Sequence, residues 1–260
     1  MAPTVAAGSA HPVVRKIAVA DLKEALSQGF ADFWAAPTQL IFLCIIYPAA
    51  GAILARAAAG YALLPLIYPL VTGFALIGPF AALGLYEISR RRERGLPASW
   101  INCFDVFRSP SLASIALLGL LLLVIFVAWL DAAHTIYRMI FGAMPPDSIA
   151  DFVHQVTATS GGLTLFIIGN GVGFVFAALV LTLTVVSFPL LLDRPVGPVV
   201  AIGTSVRAVL ANPGTMAVWG LIVAASLLVG ALLLFVGLAI ALPVLGHATW
   251  HLYRKVIAPE

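Results

Sequence analysis

Apolar residues along the chain fall into long runs separated by short charged stretches. About 20 apolar residues in an α-helix rise roughly 30 Å, the thickness of a bilayer core. On that measure the pattern predicts six spans. The first runs from about Thr38 to Ala59. The second runs from about Tyr61 to Ser89 and is interrupted by Pro65, Pro69 and Pro79. The third runs from Ser111 to about Tyr137, and the fourth from Gly161 to Leu192. The last run, Gly214 to Arg254, is too long for one crossing. It is divided near Phe235–Gly237, although no polar turn marks the place.

Three stretches between the spans follow a different pattern: "LSQGFADFWAAP", "SWINCFDVFRSP" and "IGTSVRAVLANP". Each ends at a proline, Pro37, Pro110 and Pro213. Counting back from those prolines, apolar residues recur at shared offsets: Phe30, Phe33 and Trp34; Cys103, Val106 and Phe107; Val206, Val209 and Leu210. The i, i+3, i+4 spacing predicts one face of a short helix lying at the membrane interface. Each proline then opens a span, where its missing N–H costs nothing. The chain therefore divides into three copies of an interfacial helix followed by a transmembrane hairpin, at about 17–95, 96–195 and 196–256. Residues 1–16 form a cytoplasmic tail without the apolar core of a secretory signal. The outer connection Met139 to Ser160 is longer than the others and is expected to hold a turn and a short helix. The fold class is an all-α polytopic membrane bundle.

Composition agrees. Hydrophobic residues make up 62% of the chain and charged residues 10%, with a mean hydropathy of +1.08. Soluble domains carry roughly 25% charge, so too few charges remain here to coat a water-facing surface. The charges also set an orientation. With the N-terminus inside, the cytoplasmic side receives Arg15, Lys16, Lys23, Arg90, Arg91, Arg92, Arg94, Arg108, Arg194, Arg207, Arg254 and Lys255. Only Arg56 and Arg138 fall outside. Basic residues favour the cytoplasm, so both termini are expected there. The net charge of +3 is a topology signal and not a nucleic-acid one. Cys44 and Cys103 sit in a span and at the cytoplasmic surface, which argues against a disulfide framework.

The stretches "LVTGFALIGPFAALGLYEISRRRERG", "VVSFPLLLDRPVGPVVAIGTSVRAVLANP" and "LPVLGHATWHLYRKV" resemble the signature segments of a bacterial integral membrane family called domain of unknown function 2189. The resemblance runs from about Ile17 to Val256. It implies a multi-pass protein of the bacterial inner membrane with about six spans, and it supplies no activity.

Candidate chemistry concentrates at the cytoplasmic ends of the returning spans. Pro79 is followed at seven, eight and eleven residues by Tyr86, Glu87 and Arg90. Pro243 is followed at the same offsets by Trp250, His251 and Arg254. Pro189 is followed at four and five by Asp193 and Arg194, and His247 lies four after Pro243. This register brings Glu87, Asp193, His247, His251, Arg90, Arg194 and Arg254 to one depth as a polar cluster. It also pairs His251 with Glu87. His247 and His251, at i and i+4, share a helix face. With carboxylates they could bind a transition metal or relay protons. The plainer reading is a headgroup anchor, with Trp250 and Tyr253 as an aromatic belt. Bis-histidine haem finds no facing pair, since His134 and His154 fall at the opposite end from His247 and His251, and His11 lies in the tail.

Gly169, Gly171 and Gly173 in the fourth span are expected to serve close helix packing, with Asn170 hydrogen-bonded to a neighbour. Neither G-x-S-x-G nor a P-loop occurs. The sequence thus points to a non-enzymatic scaffold, assembly or regulatory protein with no cofactor. Its partners are the bilayer and a membrane-protein partner or a second copy. A small transporter or channel is the alternative, and a metal- or haem-associated respiratory protein the second.

Overall fold

A computed structural model describes residues 12–38, 64–144, 146–233 and 236–259. Every regular element among them is helical: α1 (Val19–Ala35), α2 (Leu64–Glu93), a 3-10 helix (Trp100–Arg108), α3 (Leu112–Phe141), α4 (Ile149–Ala158), α5 (Ser160–Asp193), α6 (Pro198–Ala211), α7 (Pro213–Leu232) and α8 (Leu238–Val256). The helices α2, α3, α5 and α7 are each long and apolar enough to cross a membrane. The expected first span lies, apart from Thr38, outside the described residues. Where the sixth span was expected the chain is helical (α8), but with its polar C-terminal half this helix is not among those apolar enough to cross a membrane.

Local chemistry explains the helix boundaries. The Asp21 carboxylate accepts from the Ala18 N–H at 2.8 Å and starts α1. Ser148 and Thr159 each accept an orphan N–H of the first turn of α4 and α5, from Asp151 and Gly162 at 3.0 Å. Pro198 and Pro213 open α6 and α7 at the first turn. The hairpin between α7 and α8 needs no polar turn because two glycines meet there. A Cβ on Gly237 would stand 2.7 Å from the Gly230 Cα.

The interior of α2 is irregular. A 3-10 turn at Ala75–Ile77 precedes Pro79. One turn earlier, Gly73 leaves room for the Trp129 ring, whose Nε1–H donates to the Pro69 carbonyl at 2.9 Å.

The second interfacial stretch departs from its expected α-helical face. It is a nine-residue 3-10 helix, long for that type, in which side chains three apart eclipse. Its three rows separate cleanly. Ile101, Phe104 and Phe107 are exposed. Cys103 and Val106 turn inward. Asn102, Asp105 and Arg108 form a polar row, with Asn102 Nδ2 donating to Asp105 at 2.8 Å and Arg108 3.5 Å from it.

Packing at this end follows a circuit. The ends of α2, α5 and α8 touch one another. α1 packs on α8, the 3-10 helix on α2, and α6 on α5. The contacts are close. A Cβ on Gly29 of α1 would meet Ala248 N at 2.7 Å, and one on Gly84 of α2 would meet Cys103 Cβ at 2.7 Å. The Val186 N–H donates to Ser205 of α6 at 3.2 Å. The chain ends also meet: Val14 pairs antiparallel with Ile257, and the Arg15 N–H donates to Val256 O at 2.7 Å. Asn212, just before Pro213, holds this N-terminal segment through Ile17 N at 2.8 Å and Arg15 O at 3.1 Å.

Candidate functional site

The polar cluster expected at the ends of the returning spans resolves into three linked groups. The first centres on Asp32 of α1. Its Oδ1 accepts from Arg92 Nε at 2.7 Å. Its Oδ2 accepts from Ser89 Oγ at 2.5 Å and lies 2.8 Å from His251 Nε2. Ser89 Oγ is also 2.9 Å from His247 Nδ1. Because the serine proton goes to the carboxylate, His247 must donate its Nδ1–H to the serine oxygen. The result is a continuous chain, His247–Ser89–Asp32–His251. His247 is fully buried, Asp32 is 5% exposed, and His251 borders a shallow cavity of about 390 Å³. Burial alone would raise the Asp32 pKa from 3.8, but hydrogen bonds from His251, Ser89 and Arg92 hold it at about 2.

The second group centres on Asp193. It receives Tyr253 Oη at 2.8 Å, Arg254 Nη1 at 3.2 Å and Arg94 Nη2 at 3.2 Å, with Arg194 3.8 Å away. Arg194 also donates to the Ala258 carbonyl at 2.7 Å. Glu93 joins through Arg254 Nε at 2.8 Å and Trp250 Nε1 at 3.0 Å. The third group lines a larger cleft of about 580 Å³ between α2, the 3-10 helix and the end of α5. In it Arg90 pairs with Glu87 at 2.7 Å and donates to the Leu192 carbonyl at 3.1 Å. Arg91 pairs with Asp105 at 3.2 Å.

The expected His251–Glu87 pair is therefore not formed. Both residues lie eight after their proline, but they line separate clefts. His251 faces Asp32, five before Pro37. Glu87 lies in the cleft lined by Asp105, five before Pro110. Asp32 was missed although its signal was present, since Asp recurs at the same offset in two of the three stretches. Ser89 and Arg92 carried no comparable signal.

The residues singled out in the fourth span divide. Asn170 accepts from Tyr68 Oη at 2.7 Å, and Gly173 faces the Trp129 ring at 3.1 Å. Around Gly169 and Gly171 no described atom lies within 4 Å of where a Cβ would stand. Cys103 is wedged against Gly84, and burial pushes its thiol up to about 11. No group of three His, Cys, Asp or Glu side chains with metal-binding geometry occurs among the described residues.

The long apolar helices and this arginine-rich rim agree with the family comparison, in which residues 67–193 match the family described as "Predicted integral membrane protein (DUF2189)". The chain is an integral membrane protein with several apolar helices in contact with lipid. The match is narrower than the resemblance read from sequence. The DUF2189 segment holds Glu87, Ser89, Arg92 and Asp193, whereas Asp32, His247 and His251 lie outside it. Neither a curated protein nor a solved structure matches the chain.

Proposed function

We propose that this DUF2189-containing chain is a six-span protein of the bacterial inner membrane, with both termini in the cytoplasm, acting as a non-enzymatic scaffold, assembly or regulatory protein. Three like units make up the bundle. The packing circuit supports them, because each interfacial helix lies on the returning span of the preceding unit. The crossings also fall at similar offsets: Gly29, Cys103 and Ser205 stand eight, seven and eight residues before their prolines.

The observation that carries the scaffold reading is the fate of the charges. At the cytoplasmic rim they are taken up by one another, joining α1, α2, α5 and α8 into one rigid plate. Ionisable groups inside a bundle commonly mark ion and proton paths. The histidines take part in this plate through His251 Nε2 at Asp32 and His247 Nδ1 at Ser89. A small transporter or channel is the second reading, favoured by the broken helix at Ala75–Ile77 and the Tyr68–Asn170 pair within the spans.

Purification from native membranes in mild detergent tests the first reading. A partner membrane protein at fixed stoichiometry, with no ion or solute flux after reconstitution, is the expected outcome. Flux through the purified chain alone would replace it with the second. Stoichiometric metal lost on His251→Ala would make the histidines a functional site. Orientation is checked with single cysteines, both native ones being replaced by serine. Met144→Cys should react with an impermeant reagent outside the cell and Leu96→Cys should not. Both positions are exposed, whereas Cys103 is too enclosed to report.

A further inference from the structure

The cleft between α2, the 3-10 helix and the end of α5 is the larger of the two cavities, and its charge is unbalanced. Besides Arg194, which is engaged by Asp193 and the Ala258 carbonyl, three arginines line it, Arg90, Arg91 and Arg108, against the carboxylates Glu87 and Asp105. The carboxylates are also shared. Asp193 is engaged from outside the cleft by Arg94, Arg254 and Tyr253. Asp105 serves both Arg91 and Arg108. Arg90 Nε is buried without a hydrogen-bond partner, and the Arg108 side chain is 87% exposed at the rim. The smaller cavity beside His251 contrasts with this. Its Arg92, Arg254 and Lys255 are each matched by Asp32, Glu93 and Glu24 at 2.8 Å or less.

The depth of the cleft identifies the ligand. Its lining includes Pro110 and Ser111, immediately before α3 enters its apolar run. Beside the polar row Asn102, Asp105 and Arg108, the 3-10 helix exposes Ile101, Phe104 and Phe107. A cationic cavity at headgroup level, bordered by a row of exposed apolar side chains, matches an anionic lipid whose acyl chains lie along that row. We propose that this cleft binds the phosphate-bearing headgroup of an anionic phospholipid, with Arg108 as the residue at its mouth and Arg90 at its base. The proposal rests on the membrane reading of the chain and stands apart from the scaffold reading.

The test uses the full chain, stripped of lipid in a neutral sugar detergent. It is titrated with short-chain phosphatidylglycerol, short-chain phosphatidylcholine and inorganic phosphate, and thermal unfolding and native mass spectrometry are followed. Phosphatidylglycerol should raise the melting temperature and remain bound as one molecule, while the other two at equal concentration should do neither. Arg108→Gln should weaken the apparent Kd about fivefold, the weight of one basic side chain at an anionic surface. Arg108→Lys should keep it within about twofold on the same reckoning. Arg207→Gln, an exposed arginine on α6 away from the cleft, should leave the Kd unchanged. Equal losses in Arg207→Gln and Arg108→Gln would mean diffuse surface attraction and overturn the site. Protection by inorganic phosphate equal to that by the lipid would assign the cleft to a soluble anion instead. Absence of any phosphatidylglycerol effect in the wild-type chain would overturn the proposal outright.

Discussion

Two clefts at the charged end of the helices share a plan and differ in one exchange. Each lies between a returning span, an interfacial helix carrying an aspartate five before its proline, and the end of a further span. In the cleft of α8 and α1 the residue eight after the span's proline is His251, and it bonds Asp32. In the cleft of α2 and the 3-10 helix that residue is Glu87, and its neighbour is Asp105. Two carboxylates repel where a histidine and a carboxylate attract. Glu87 and Asp105 therefore turn to Arg90 and Arg91, and the cleft stays open. The same framework yields a closed structural joint on one side and an open cationic cavity on the other.

The largest expected difference between the two follows from removing the aspartates. Asp32→Ala leaves Arg92, Ser89 and His251 without their shared acceptor at a buried site, at a cost of about 3–5 kcal/mol. Asp105→Ala acts on a partly exposed residue and should cost about 1 kcal/mol or less. Thermal unfolding in detergent measures both. Similar losses would erase the distinction between the clefts.

Gly29→Ala should come next. Its Cβ would meet the backbone atoms Ala248 N at 2.7 Å and Val244 O at 2.8 Å, forcing α1 off α8 at a cost of about 1–3 kcal/mol. A variant as stable as wild type would show that the crossing is looser than its geometry implies.

Acid titration sharpens the comparison further. The folded-state pKa of Asp32 is depressed, so its stabilisation is fully present above its ordinary value of 3.8 and is lost as pH falls toward about 2. Unfolding midpoints between pH 5 and 2 should fall more steeply in wild type than in Asp32→Ala. Parallel curves would remove Asp32 from the account.

The smallest effect is a coupling energy. His251→Ala with Asp32→Asn should depart from additivity by about 0.5–3 kcal/mol, whereas His251→Ala with Glu87→Gln should add within about 0.5 kcal/mol. Coupling in the second pair would restore the pairing that the register first suggested.

Much of this arrangement was legible in the sequence because it is local. The three prolines, the apolar offsets behind them and the split after α7 are short-range signals, and helices form near each. The 3-10 geometry was not legible. Phe104 and Phe107 satisfy a spacing of three, while Cys103, Val106 and Phe107 satisfy three and four, so both helix types fit the same letters. The partner of His251 was hidden for another reason. Asp32 lies 219 residues away, and only closure of the circuit brings them together. Register matched Glu87 and His251 by their offset from a proline, but a shared offset does not put two side chains in contact.

The docking of α1 on α8 has a consequence for biogenesis. α1 leaves the ribosome well before its partner α8. At roughly 5–20 residues per second, the 219 residues between Asp32 and His251 take about 10–45 s to synthesise. Through that interval the face of α1 that carries Gly29 and Asp32 lacks its α8 partner, while Phe30 and Trp34 stay exposed even in the finished fold. The α1–α8 crossing can therefore form only after His251 has been translated.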